Sequence, residues 1–164
     1  MSRSARYYLD ATRTVGPAFA VNARVGDVIG MIGPGGGSAR PAEWNLFAGD
    51  ETALPAIARI IEALPQGARG VAVIEVADPR DEQTIRQVAD IEVTYLHRNR
   101  SIRTNALAEH MEAIDLPSDR SVFARAGTEF STFRKIRSDW RASKRLAKND
   151  HLAVSYWRDG HSQT

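Results

Sequence analysis

Five apolar, β-rich runs alternate with segments of helical periodicity from residue 44 onward, and this rhythm constrains the fold more than any other feature of the chain. The runs are 44–47 (WNLF), 70–76 (GVAVIEV), 91–96 (IEVTYL), 122–126 (VFARA) and 152–157 (LAVSYW). Helical patterns fill the intervals: a helix entering near Leu54, a short segment near 81–88, a helix over 104–114 and a long one over 130–146. Strands that alternate with helices pair in parallel through right-handed crossovers. The predicted class is therefore α/β, a five-stranded parallel sheet of order 3-2-1-4-5 with helices on both faces. In that order the chain reverses between strands 1 and 4. Open sheets take ligands in the crevice beyond the strands' carboxyl ends at such a reversal.

The first crossover shows how the switch from strand to helix is written. Leu54, Ile57, Ala58, Ile61 and Leu64 fall at helical spacing, and Pro55 marks the first turn, where a missing N–H costs nothing. Thr52 is the expected N-cap, which leaves Gly49-Asp50-Glu51 as the turn. A helix N-terminus at this place commonly holds a phosphate through bare amides. Here two carboxylates stand there instead. Each favours the helix dipole by roughly 0.3–1 kcal/mol, yet both repel a pyrophosphate, so phosphate binding and plain capping stand as equal alternatives. The turn after strand 4, AGTE with Gly127 and Glu129, has the same small-small-polar-acid wording as AGDE. Two similar turns are thus expected to face one crevice.

Composition excludes several kinds of chemistry. The 164 residues are 43% hydrophobic and 26% charged, which suits one globular domain with a short appendage. No apolar run approaches a bilayer span and the N-terminal residues lack a signal-peptide core, so a cytoplasmic protein is expected. There is no cysteine, hence no thiolate metal site and no cysteine nucleophile. His97, His110, His151 and His161 have no ligand spacing, and no metal is expected. The net charge is only +2, but residues 134–148 set Arg134, Lys135, Arg137, Arg141, Lys144, Arg145 and Lys148 against Asp139 alone. Such asymmetry selects anions: a phosphate, a chelate or a nucleic acid. Nucleic acid is the weakest of these, because Phe130, Phe133 and Trp140 fall with Ile136 on the apolar side rather than interleaving with the cations.

Other candidates sit at strand ends. Arg98 and Arg100 follow strand 3, where guanidinium groups either grip a nucleotide phosphate bidentately or simply solubilise a loop. Asp78 follows strand 2, where an acid either holds a ribose hydroxyl or, with Pro79 and Arg80, closes a turn. Tyr156 and Trp157 end strand 5 as ring shields or as core and rim residues.

AGDETALPAI, together with GPGGG upstream and YWRDG near the end, resembles the siderophore-interacting protein family, flavin-dependent ferric-siderophore reductases of bacteria. The resemblance implies that residues 44–164 form an NAD(P)H-binding domain of the ferredoxin-reductase type. Residues 1–43 would then be the remnant of an FAD-binding barrel and its linker. It places a cofactor, NADPH or NADH, at Gly49, Asp50, Glu51 and Thr52, with Arg98 and, less directly, Arg100 and Gly127, and a flavin ring at Tyr156 and Trp157; Asp78 joins the cofactor candidates by its strand-end position alone. Glu129, the acid of a Gly-x-Glu phrase, approaches the nicotinamide as the catalytic candidate or else caps the helix. Arg134, which matches the family's arginine one turn into the long helix, is the leading substrate residue, with Lys135 and Arg137 beside it. The implied partners are an anionic ferric siderophore and a flavin-bearing domain or second subunit, without membrane or nucleic acid. The family's FAD is implied too, although its arginine-rich Arg-x-Tyr-x-x-Arg motif is absent from this sequence. A rival reading is a non-catalytic module that uses the basic helix to capture an anionic chelate.

Overall fold

The structure is a computed structural model that describes residues 22–28, 40–98, 105–144 and 146–161. The chain divides into two compact units, residues 1–37 with residue 164, and residues 38–163. Within the first, the described residues hold a turn at Gly26, whose φ of +103° suits glycine. The Asp27 N–H donates to the Arg24 carbonyl there. The GPGGG segment that contributes to the family resemblance lies outside the described residues, as does Arg100.

The second unit carries the sheet. Its elements are β1 (Trp44–Asp50), α1 (Leu54–Ala63), β2 (Arg69–Val76), β3 (Asp90–His97), α2 (Ala106–Ala113), β4 (Val122–Glu129), α3 (Phe130–Ala142) and β5 (His151–Trp157). All four strand pairings are parallel and the order is β3-β2-β1-β4-β5, as the alternation predicts.

Strand periodicity divides the core in two. On one face Phe47, Ala72, Ile74, Val76 and Ile91 pack under Leu54, Ile57 and Ile61 of α1. On the other, Leu46, Ala48, Val73, Ala124 and Ala126 meet Leu107 and Met111 of α2 and Ile136 and Trp140 of α3. Residues 46 and 47 point to opposite sides, as alternation on a strand requires, so helices cover both faces. Each large side chain buried in this way contributes roughly 1.5–3 kcal/mol. Gly70 is required for another reason. A Cβ there would lie 1.8 Å from the Asn45 carbonyl oxygen on the adjoining strand.

Several local expectations are corrected. β1 and β4 run on to Asp50 and Glu129, so AGDE and AGTE are mostly strand, with Gly49 paired to Gly127. Thr52 does not cap α1. The N-cap is Ala53, with no side-chain hydrogen bond, because the Thr52 hydroxyl donates to Asp50 instead. No helix forms over 81–88. Asp78 accepts hydrogen bonds from the backbone and guanidinium of Arg80 and closes a single 3-10 turn, Pro79–Asp81. Beyond it the Tyr95 hydroxyl donates to the Gln83 carbonyl and accepts from the Gln83 N–H, which holds the segment extended. α3 stops at Ala142, short of residue 146, where the Ser143 and Lys144 amides both turn back to the Asp139 carbonyl.

Candidate functional site

The crevice opens where the topology says it should, at the carboxyl ends of the strands around the reversal between β1 and β4. It is a cleft of about 130 Å³ lined by Asp50, Glu75, Arg98, Asn105, Leu107, Thr128, Glu129, Ser131, Thr132 and Trp157. Residues from β1, β2, β4 and β5 therefore converge on it, joined by the starts of α2 and α3.

Asp50 lies at the centre and is 3% exposed. Its Oδ1 accepts from the Thr52 N–H at 3.0 Å and from the Thr52 hydroxyl. Its Oδ2 accepts from the Glu129 N–H at 3.0 Å and from the Trp157 indole N–H at 2.8 Å. One carboxylate thus ties β1 to β4 and β5. Burial raises its pKa above the ordinary 3.8, although the Thr52 and Trp157 hydrogen bonds pull the other way.

A register shift between Thr128 and Glu129 makes this possible. Beyond it Glu129 pairs with Trp157 rather than Tyr156, so the indole serves the crevice. Tyr156 packs against the α1-side core, with its ring close to Gly127. Glu129 is the N-cap of α3, accepting from the Ser131 N–H at 2.6 Å and from the Ser131 hydroxyl. Of the two roles open to Glu129, the helix cap is the one its contacts express.

Arg98 sits between two acids, bonded to Glu51 and, at 3.2 Å, to Glu75. Its side chain is 20% exposed. Burial opposes its charge, but the two carboxylates outweigh this and hold its pKa above the ordinary value. Gly49 and Gly127 serve close packing. A Cβ on Gly49 would come within 2.4 Å of Ile57 and 3.0 Å of Ala53, and one on Gly127 within 2.9 Å of the Tyr156 ring and 3.0 Å of Ala53. Asp78 is absent from the cleft lining. Its bonds to Arg80 hold its pKa down to about 2, which fits the capped-turn alternative.

The basic helix is less uniform than its sequence suggests. Ile136 and Trp140 are buried, but Phe130 and Phe133 are only half-buried, a correction to the expected apolar side. Their outer faces carry guanidinium groups: Arg158 at 4.8 Å and Arg134 at 6.0 Å from the Phe130 ring centre, Arg137 at 5.8 Å from that of Phe133. Two rings and three arginines form a surface beside the crevice. Lys135 instead donates to Asn105 Oδ1. Lys144 is structural, donating to the carbonyls of Ile114 at 2.6 Å and Glu112 at 3.0 Å.

Sequence reasoning missed Glu75, Asn105, Thr128, Thr132 and Arg158. For Glu75 the signal was present: an acid inside the apolar run 70–76 must have a partner when buried.

The chain is thus a doubly wound α/β domain with a crevice at its chain reversal, the place where open sheets of this class take ligands. Residues 42–160 match the family model described as siderophore-interacting protein, and the chain belongs to that family. It is 31% identical over 153 residues to the ferric vibriobactin reductase ViuB of Vibrio cholerae, covering 92% of this chain and 56% of that protein. The structure of a siderophore utilization protein from T. fusca matches with a TM-score of 0.81 and 35% identity, over 92% of this chain and 58% of that one. The siderophore-interacting protein SipS from Aeromonas hydrophila matches with a TM-score of 0.78 and 29% identity, over 89% and 58%. The chain thus spans a little over half the length of these relatives.

Proposed function

We propose that this chain supplies the NAD(P)H-receiving half of a ferric-siderophore reductase acting in iron release in the cytoplasm, with residues 1–43 as the trailing end of a flavin barrel. One observation carries the reading: the crevice at the β1/β4 reversal lies beside an exposed patch of Arg134, Arg137 and Arg158 stacked on half-buried aromatics. A small cleft for a reductant and a neighbouring cationic surface for an anionic chelate are the two sites such a reaction needs. Flavin, when supplied, splits the electron pair of NAD(P)H into single electrons that reduce ferric iron to the more weakly held ferrous ion. The protein's part is to position the partners. Trp157 offers a flat apolar surface to a nicotinamide, the Thr132 side chain suits a ribose hydroxyl, and the arginines attract the chelate.

The Trp157 wall of the cleft suits the nicotinamide end of the cofactor, whereas its diphosphate meets acids rather than open Thr52 and Ala53 amides at the β1–α1 turn. Asp50 and the backbone have already used the Thr52 and Ala53 donors. That same observation favours a second reading, a non-catalytic module that captures the anionic chelate on the arginine patch. The test is NADPH oxidation by the purified chain with added FAD and a ferric chelate. Turnover that falls at least about tenfold in Arg134→Ala supports the reductase. Chelate binding without NADPH consumption supports the module.

A further inference from the structure

Both helix N-termini that face the crevice are closed by the protein's own carboxylates. At the β1–α1 turn the Thr52 N–H donates to Asp50 Oδ1 and the Ala53 N–H to the Asp50 carbonyl, both at 3.0 Å. At the β4–α3 junction the Glu129 N–H donates to Asp50 Oδ2 at 3.0 Å and the Ser131 N–H to Glu129 Oε2 at 2.6 Å. These four amides are among the donors that a phosphate at either helix start would use. None can be released cheaply. Asp50 is also held by the Trp157 indole and the Thr52 hydroxyl, and Glu129 by the Ser131 hydroxyl. Nor is there room for the backbone to open. Ala53 lies 3.0 Å from where a Cβ on either Gly49 or Gly127 would stand, so the start of α1 is seated on both strands.

We infer that Asp50 and Glu129 are built-in replacements for bound phosphate, so that a nicotinamide dinucleotide enters this crevice by its nicotinamide–ribose end and leaves its diphosphate outside. The specificity that follows is for the phosphate-free half of the cofactor. Pyrophosphate and the adenosine diphosphate moiety add little to affinity, because their usual partners are spent within the fold. This rests on the reading that the crevice receives a nicotinamide, and it goes further by naming the part of the cofactor that is recognised and the residues that exclude the rest.

The test is a titration of the ¹⁵N-labelled full chain followed through the Trp157 indole N–H and the Thr52, Glu129 and Ser131 amides. The probes are inorganic pyrophosphate, ADP, reduced nicotinamide riboside and NADPH. The expected result is that the first two leave all four signals in place up to about 10 mM, while the last two shift the indole with dissociation constants within about threefold of each other. In Asp50→Asn, whose amide keeps one oxygen as acceptor and loses the other, so that the donors of one junction are freed, ADP affinity rises at least about tenfold. Glu129→Gln, which keeps an oxygen for Ser131, is the milder variant should Asp50→Asn unfold, and its expected gain is about threefold. Saturable shifts of the Thr52 or Ser131 amides by ADP or pyrophosphate in the unaltered chain overturn the inference. So does NADPH binding more than about thirtyfold tighter than the riboside, although the nicotinamide reading then survives. No response to either nicotinamide compound overturns both together.

Discussion

Asp50 joins three strands through one carboxylate, and the consequences of altering its partners are specific. Trp157→Phe keeps a ring at the crevice but removes the N–H that reaches Asp50 at 2.8 Å. The expected cost is about 1–2 kcal/mol, since a hydrogen bond to a charged group is lost while the Glu129 amide remains. Urea denaturation of the two proteins measures it. The buried carboxyl also has a pH signature. Its pKa is raised in the folded chain, so between the ordinary value near 3.8 and the folded value the native state holds a proton that the unfolded state has lost. Stability from this group is complete below that window and declines as pH rises through it. Comparing unfolding of the unaltered chain and Asp50→Asn from about pH 4 to pH 8 should show the difference between them moving against the unaltered chain as pH rises. Asp78 works in the opposite sense. Its pKa is held near 2 by Arg80, so its contribution is present above the ordinary carboxylate range and fades as pH falls through that range toward 2.

Two devices at the level of elements fix the geometry of the crevice. The irregularity between β4 and β5 advances the pairing by one residue, which sends Tyr156 into the α1-side core and Trp157 to Asp50. The other is Lys144, whose side chain is 10% exposed and whose ammonium ties the end of α3 to the last carbonyls of α2, with Asp139 at 3.8 Å. Lys144→Met leaves those carbonyls and the largely covered Asp139 carboxylate without their cation. A loss of about 3 kcal/mol is expected, seen as a lowered urea midpoint with unchanged slope. Gly70→Ala is the more severe change, because the obstacle at 1.8 Å is the backbone of the central strand rather than a movable side chain. It should cost more than about 3 kcal/mol and yield little folded protein.

The net charge of +2 conceals an uneven distribution of charge. Arg134, Arg137 and Arg158 are exposed and stand on aromatic rings beside a crevice that carries Asp50, Glu75 and Glu129. If an anionic ferric chelate docks on that surface, its affinity should fall several-fold when salt is raised from about 0.05 to 0.5 M, because exposed charges are screened over such distances. The double variant Arg134→Ala, Arg158→Ala should lose both the affinity and most of the salt dependence, which fluorescence or calorimetric titration reads directly. Nothing among the described residues is a helix long and apolar enough to cross a membrane.

The alternation of five apolar runs with helical segments was enough to specify a parallel sheet covered on both faces, because parallel pairing and crossover handedness leave few other ways to bury those runs, and the expected strand order is the one the sheet has. The AGDE and AGTE phrases were likewise legible as two acids at one crevice. Their use was not. A carboxylate at a helix start reads the same whether it awaits a ligand, caps its own helix or binds a neighbouring strand. That choice depends on partners 79 and 107 residues away, the Glu129 amide and the Trp157 indole. The half-burial of Phe130 and Phe133 was hidden for a similar reason: helical periodicity gives the face of a side chain but not how far the neighbouring layer extends over it. Sequence determined the elements and their order through local periodicity and turn chemistry. Tertiary structure decided which donors and acceptors were already satisfied, because that depends on distances between residues that the chain brings together only when it folds.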